Sequence, residues 1–199
     1  MTDNLFQNKY RIPSARLQSW NYANKGIYFV TICTLERVPH FGEIRAKKVI
    51  LSELGKVVES EWLKTIELRQ DMNLRIGNYV VMPNHFHGLL IIAENQYNSP
   101  GTDAMHGVSA GNGEPTRTDA MHRVSARFGP QSKNLASIIR GFKSSVTTYA
   151  RKNNIAFDWQ PRFHDHIVRS FDEYDRISTY IQNNPANWKE DKFNSGIEY

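Results

Sequence analysis

Cysteine and long apolar runs are scarce in this sequence of 199 residues. The single cysteine, Cys33, excludes an intramolecular disulfide and a cysteine-rich structural zinc site, and it favours the reducing cytoplasm. No apolar segment approaches the roughly 18 residues that a membrane-spanning helix needs, and the N-terminus has no signal-peptide pattern. We therefore expect a cytoplasmic protein with no membrane partner. The length and the ordinary hydrophobic content of 40% predict a single domain over residues 1–199.

Basic residues outnumber acidic ones, with a formal net charge of +5. Residues 131–170 contain seven lysines or arginines against two aspartates. The N-terminal arm has the same character, with Lys9, Arg11, Arg16 and Lys25, the single acid Asp3, and the aromatic residues Tyr10, Trp20 and Tyr22. Cations that neutralise phosphates and rings that stack on unpaired bases favour single-stranded nucleic acid as partner. For the arm alone, a solvated basic face with a few core aromatics explains the pattern equally well.

Hydrophobic periodicity predicts an α+β fold. Strands are predicted at 26–34, 73–82, 85–92 and 163–168. A further extended segment follows 39–44 and runs toward Leu51. Helices are predicted at 52–68, 134–152 and 172–183. Ser52 is placed to cap the first helix, in which Gly55 is a tolerated interruption, and Ser170 or Asp172 to cap the last. Pro83 cannot donate to a strand ladder, so it belongs at a strand start, an edge or a turn. Helices interleaved with antiparallel hairpins indicate one sheet with helices packed on it.

Residues 94–131 do not fit this plan. They show no hydrophobic period, and the segment TDAMHGVSA at 102–110 recurs as TDAMHRVSA at 118–126. Two copies are too few for a solenoid, so we interpret the region as a peripheral insertion produced by duplication. His106 and His122 occupy equivalent positions of the repeat and are therefore poor candidates for metal ligands.

Two histidines one residue apart, His85 and His87, begin the apolar strand HFHGLLII. Residues two apart on a strand point to the same face, so both imidazoles project together while Phe86 faces the opposite layer. This arrangement suits a metal ion, although structural histidines would give the same pattern. No acid follows until Glu94, which argues against a cupin-type site. Oxygen ligands from elsewhere in the chain would complete a site for Mg²⁺ or Mn²⁺.

The last predicted helix offers such an oxygen. Tyr180 and Asn184 lie four residues apart, on one helix face, and would present a hydroxyl and an amide oxygen side by side. The alternative is structural, because Tyr180 has Ile177 and Ile181 beside it and Asn184 precedes Pro185 at a helix terminus.

Three segments, VVMPNHFHGLLII, WQPRFHDHIVR and YIQNNP, together resemble the single-tyrosine HUH transposases, and in particular the REP-associated tyrosine transposases. The resemblance extends over residues 26–188 without the repeat insertion. It implies a ferredoxin-like antiparallel sheet with the His pair on a central strand. It further implies that His85 and His87 bind the metal, that Tyr180 is the nucleophile, and that Asn184 is the third ligand, where the broader family often has a glutamine. The implied activity is metal-dependent cleavage and rejoining of single-stranded DNA through a 5′-phosphotyrosine.

Several alternatives remain at this point. Tyr149 competes with Tyr180 as nucleophile and has Asn153 at the same spacing, so the preference for Tyr180 depends on the YIxxNP match. His164 and His166 share one strand face and are either structural or active in proton transfer. The protein could also be a domesticated, non-catalytic nucleic-acid-binding protein, or a hydrolase whose His pair activates water.

The DNA partner is expected to be single-stranded and able to form a hairpin, bound by a monomer or a homodimer. The candidate contacts to its backbone are Arg140, Lys143, Arg151, Arg162 and Arg169.

Overall fold

The computed structural model describes residues 20–99 and 132–194. Its strands are β1 (Gly26–Cys33), β2 (Gly42–Arg45), β3 (Lys48–Leu51), β4 (Leu74–Met82), β5 (His85–Ile92) and β6 (His164–Val168), and its helices are α1 (Glu53–Glu67), α2 (Leu135–Lys152) and α3 (Phe171–Asn183). Most of the basic N-terminal arm and nearly all of the expected insertion, including His106 and His122, lie outside the described residues.

The main sheet has four strands in the order β4-β5-β1-β6. All three neighbouring pairs are antiparallel. Without the small β2–β3 hairpin, the chain order is β-α-β-β-α-β, which is the ferredoxin-like arrangement. The predicted fold class is therefore confirmed, and β5 with its His pair is an interior strand.

Each strand of the sheet faces two different layers. Phe86 of β5 lies under α1 and α2, with ring centroids 4.7 Å from Trp62 and 5.5 Å from Phe142. Leu89, three residues further along β5 and therefore on the other face, packs with Ile177 of α3. The predicted separation of Phe86 from the two histidines is confirmed, because a strand alternates its side chains.

A two-residue turn, Pro83-Asn84, joins β4 to β5. The Pro83 carbonyl accepts from the Phe41 N–H and the Asn84 carbonyl from the Thr34 N–H, both at 2.9 Å. Pro83 therefore lies where its missing N–H is not needed, as predicted. The turn also sets the register, pairing Met82 with His85.

Side-chain caps define the helix starts. Ser52 accepts from the Gly55 N–H at 3.0 Å and begins α1, whereas Asn134 forms a capping box with Ser137 at the start of α2. Of the two candidate caps for α3, the structure uses Ser170, which accepts from the Glu173 N–H at 3.1 Å. This helix consequently begins at Phe171, one residue earlier than predicted.

The extended segment expected before Leu51 is in fact the hairpin β2–β3. Its turn residues Ala46 and Lys47 have φ values of 48° and 63°, as in the turns that suit the twist of paired strands. Neither residue is the glycine or asparagine that usually marks such a turn, so the sequence carried no signal for it.

The expectation that Gly55 is merely tolerated was wrong. A Cβ atom built at Gly55 would lie 2.0 Å from the carbonyl oxygen of Phe41. That carbonyl is held in place because it accepts from the Ser52 N–H at 2.9 Å. The close approach of helix and loop therefore requires glycine.

We expect Gly55→Ala to lower the free energy of unfolding by about 1–3 kcal/mol, because the overlap with backbone outweighs the better helix propensity of alanine. Urea denaturation would measure this. Ser60→Ala, at an exposed position of the same helix, is the control and should change stability by about 0.5 kcal/mol or less. Equal stability of the two variants would contradict the assignment.

Candidate active site

The two histidines of β5 lie together under α3. Their side chains are almost fully buried, and their ring centroids are 4.5 Å apart. Thr31 Oγ1 lies 2.8 Å from Nδ1 of His87, and the hydroxyl of Tyr180 lies 3.2 Å from its Nε2. The structure thus brings the predicted nucleophile to the predicted metal ligand.

The protonation of His85 follows from its neighbour Asn84. The Asn84 amide nitrogen donates to the carbonyls of Arg37 and Phe193, at 3.0 and 2.8 Å, which leaves its side-chain oxygen facing Nδ1 of His85 at 2.9 Å. An amide oxygen only accepts, so Nδ1 carries the proton and Nε2 has a free lone pair. This Nε2 atom is buried and has no hydrogen-bond partner within residues 20–99 and 132–194.

Asn184 presents a second buried acceptor. Its amide nitrogen donates to Asp191 Oδ2 at 2.9 Å, and its oxygen Oδ1 is buried without a partner in the described part of the chain. Asp191 is itself held by the Phe193 N–H, which donates to Oδ1 at 2.7 Å. A buried polar atom without a partner is costly unless something else satisfies it.

These atoms fit a divalent cation. The ligand atoms of His85, His87 and Asp191 lie within 4.8 Å of one another, and Asn184 adds the amide oxygen described above. Two imidazole nitrogens with carboxylate and amide oxygens form a donor set in which the oxygens suit Mg²⁺ or Mn²⁺ and the imidazoles suit transition metals. The cluster can therefore bind a metal ion.

Electrostatics keep the histidines ready to coordinate a metal. Burial, with smaller effects of the Lys192 and His164 charges, lowers the pKa of His87 to about 3. Burial and the neighbouring His87 hold the pKa of His85 well below its usual value. Both rings are therefore neutral at physiological pH, which is the form that binds metals.

The pKa of Tyr180 is shifted upward, in the opposite direction to those of the two histidines. Burial and the nearby negative charge of Asp191 raise its pKa, and hydrogen bonding to Asn184 opposes the rise. The phenol is therefore protonated at neutral pH without a cation close by. Its side chain is nevertheless 41% exposed, so a ligand can reach the hydroxyl.

An open cleft of about 1490 Å³ gives access to this site. Its lining includes Tyr180 and His87, and the cations that face it are Arg37, Arg162, Arg176 and Lys192. Two carboxylates, Glu190 and Asp191, also line the cleft. The four cations outnumber them, so the lining carries a net positive charge that favours an anion.

Aromatic residues after α3 close the other side of the His pair. The ring centroid of Trp188 is 6.0 Å from that of His85, and that of Phe193 is 4.6 Å from it. Arg37 in turn stacks on Phe193 at 4.3 Å. This cover accounts for the strong desolvation of His85.

No protein-family model matches the chain. A Haemophilus influenzae protein of uncharacterised activity is 36% identical over 183 residues, which cover 90% of this chain and 91% of that protein. The chain belongs to the family of that protein.

Solved structures identify the fold. The REP-associated tyrosine transposase bound to a REP hairpin superposes with a TM-score of 0.54 at 18% identity, over 91% of this chain and 77% of that one. A transposase-like protein of Deinococcus radiodurans gives a TM-score of 0.37 at 13% identity, over 85% and 97% of the two chains, which is too low to support an argument. The predicted likeness to the tyrosine transposases is thus confirmed at the level of the fold.

The structure separates the predicted DNA contacts. Arg162 lines the cleft, and Arg169 is exposed just after β6. Arg140, Lys143 and Arg151 lie on α2, which covers the opposite face of the sheet from the His pair. Lys143 also donates to the carbonyls of Gln160 and Arg162, at 2.8 and 3.0 Å. A role of these five residues in DNA binding stays a prediction.

The competing tyrosine is also distant from the His pair. Tyr149 is partly buried on α2 and packs against the core on the α1–α2 side of the sheet. Asn153, which was its amide partner by spacing, donates to the Tyr149 backbone carbonyl at 2.9 Å. The geometry therefore favours Tyr180.

Sequence reasoning missed Asp191 and three of the four cleft cations, Arg37, Arg176 and Lys192. Asp191 is seven residues beyond Asn184 and outside the helix, so no periodicity connects the two. The nearest signal was the cluster of charged residues after Trp188.

Among the described helices, none combines the length and apolar character needed to cross a membrane.

The buried histidines predict a specific loss of stability in acid. Because the pKa of His87 is about 3 when folded and about 6.5 when unfolded, the unfolded chain binds the proton first. Stability should therefore be full above about pH 6.5 and fall as the pH drops toward 3, by up to about 1.4 kcal/mol per pH unit for each buried histidine.

Urea denaturation in EDTA between about pH 7 and pH 5 tests this. His87→Gln should flatten the dependence by about one histidine's contribution, and the double variant with His85→Gln should flatten it further. A wild-type slope in both variants would show that these rings do not control acid stability.

Proposed function

We propose that this protein cleaves and rejoins single-stranded DNA through a covalent 5′-phosphotyrosine on Tyr180. The observation that carries the proposal is the 3.2 Å contact between the Tyr180 hydroxyl and Nε2 of the buried His87, at the bottom of a cationic cleft. A nucleophile beside a metal site and a surface for phosphates are what phosphoryl transfer requires. The tyrosine transposase that shares the fold is bound to a REP hairpin, which suggests hairpin-forming DNA as the substrate.

The metal would be held by the two ligands that the resemblance implies on β5, His85 and His87, and by Asp191, which the structure adds. Asn184 Oδ1, the third ligand that the resemblance implies, would complete the set. Mg²⁺ or Mn²⁺ bound there would withdraw charge from a non-bridging phosphate oxygen. Asp191 would also orient Asn184. Because its carboxylate accepts from the Asn184 amide nitrogen, the amide oxygen of Asn184 points away from the carboxylate.

Tyr180 would attack phosphorus in line. The bond between its Oη atom and phosphorus forms, the bond from phosphorus to the 3′ oxygen breaks, and a 5′-phosphotyrosine and a free 3′-hydroxyl result. The covalent link conserves the phosphodiester energy, so attack by a 3′-hydroxyl rejoins DNA without ATP. Edge-on contact with Phe29, at 6.3 Å between ring centroids, fixes the phenol ring for this attack.

The cleft suggests how the DNA strand lies. Arg37, Arg162, Arg176 and Lys192 are the nearest cations to the reacting phosphate, so we assign the local backbone contacts to them. Arg140, Lys143, Arg151 and Arg169 would contact DNA farther from the cleft. Tyr180 and His87 meet within one chain, so a monomer would hold a complete site.

A covalent adduct is the direct test. Labelled single-stranded hairpin DNA from the flanks of the gene, with Mn²⁺, should give a protein–DNA adduct that survives SDS. Tyr180→Phe should abolish the adduct because the nucleophilic oxygen is lost. Tyr149→Phe, on the far side of the sheet, is the matched control and should retain it.

Other outcomes separate the alternatives. Cleavage that persists in Tyr180→Phe without an adduct would indicate a metal-dependent hydrolase. Binding of the hairpin without cleavage in any metal would indicate a non-catalytic nucleic-acid-binding protein.

Metal binding can be measured apart from activity. In calorimetric titration with Mn²⁺, we expect Asp191→Asn to weaken binding by about 10–100-fold. The variant loses the ligand charge and keeps one acceptor oxygen for the two donors, Asn184 Nδ2 and the Phe193 N–H, that Asp191 now satisfies. Glu190→Gln removes the same charge from the adjacent cleft residue and should change affinity by about 2-fold or less. If the two variants weaken Mn²⁺ binding equally, Asp191 acts only through its negative charge and is not a metal ligand.

A further inference from the structure

The edge strand β6 brings two histidines, His164 and His166, to the cleft, and His164 is level with His87. Thr31 of β1 pairs directly with His87 on one side and with His164 on the other. Residues directly opposite each other in antiparallel strands point to the same face. The two imidazoles therefore rise from the same side of the sheet, with their backbones about 10 Å apart, which is two strand spacings.

The space between these histidines is open. Thr31 is short and is turned to His87, with which it makes the 2.8 Å hydrogen bond. His164 is exposed and lines the same cleft as Tyr180. Its charge is near enough to contribute to the lowered pKa of His87. A phosphate beside Tyr180 would therefore lie between the His pair and His164.

His166, two residues further along β6, differs from His164 because its ring has a hydrogen-bond partner. His166 Nε2 lies 2.8 Å from Oε1 of Glu173, and the Arg176 guanidinium is 3.5 Å from the same oxygen. This contact ties β6 to the first turn of α3. Within the described residues, His164 makes no such hydrogen bond, so its ring is available to a ligand.

In-line attack requires a proton donor for the leaving oxygen, and neither Tyr180 nor the metal ligands supply one. The leaving 3′ oxygen departs on the side of phosphorus opposite the Tyr180 oxygen, and it needs a proton as the bond breaks. The arginines that line the cleft hold their protons too tightly to act as acids, and a lysine ammonium, with an ordinary pKa of about 10.4, is a far weaker acid than an imidazolium. Imidazole both donates and accepts protons near neutral pH.

We propose that His164 is the general acid that protonates the 3′ oxygen when Tyr180 cleaves DNA, an inference that depends on the proposed function. Tyr180 enters as the phenolate, its proton having passed to water. As its oxygen bonds to phosphorus and the bond to the 3′ oxygen breaks, the proton of the His164 imidazolium moves to that oxygen. In rejoining, neutral His164 takes the proton from the attacking 3′-hydroxyl and the Tyr180 phenolate leaves.

A sulfur substitution in the DNA tests this role. When sulfur replaces the bridging 3′ oxygen of the scissile linkage, the leaving group is a thiolate that needs no proton. We expect His164→Asn to slow adduct formation with normal DNA by about 100-fold or more. With the sulfur-containing DNA in Mn²⁺, the same variant should react within about 3-fold of the wild type.

His166→Asn is the matched control, since it changes the same residue type on the same strand face. Any slowing in this variant should be equal for the oxygen and sulfur substrates, as expected of a structural residue. The inference is overturned if His164→Asn is slowed equally on both substrates, or is not slowed on normal DNA. In both cases the Tyr180-dependent adduct of the wild type would leave the proposed function standing, whereas absence of any wild-type adduct would remove both.

Discussion

The arrangement of the site depends on the hydrogen bonds of the buried Asn84 side chain. Its amide nitrogen bonds two carbonyls, from the loop after β1 and from the segment after α3, and its oxygen sets the tautomer of His85. The Asn84 backbone carbonyl also receives the Thr34 N–H and hydroxyl. Each bond contributes about 1 kcal/mol, but a buried group left without its partner costs about 1–3 kcal/mol. One side chain therefore couples the turn, the candidate metal ligand His85 and the C-terminal segment.

The two faces of the sheet have different tasks. The face under α1 and α2 carries the larger core, in which Trp62, Phe86 and Phe142 are in mutual contact. The face under α3 has a smaller cluster built on Leu89 and Ile177, and polar residues occupy the rest. Stability comes mainly from the first face, so the second can bury a histidine and an asparagine whose polar atoms are not all satisfied within residues 20–99 and 132–194.

The site combines groups that favour a cation with a rim that favours an anion. The neutral histidines, the carboxylate of Asp191 and the oxygen of Asn184, which has no partner among the described residues, together attract a cation. The cations on the rim of the cleft attract an anion. The raised pKa of Tyr180 would be offset by a cation in the cluster. A divalent metal and a phosphodiester would thus complement each other here, as the proposed phosphoryl transfer requires.

Local periodicity by itself determined most of the secondary structure, the shared face of His85 and His87, and the adjacency of Tyr180 and Asn184, because each depends on spacing along one strand or helix. Tertiary structure alone decided that α3 rather than α2 covers the His pair, which places Tyr180 at the site and Tyr149 far from it. It also decided that Asp191 returns to a histidine about a hundred positions earlier, and that Arg37 and Lys192 share a cleft with Arg162. Contacts between distant segments depend on which face of the sheet each helix covers, and no repeat in the sequence encodes that choice.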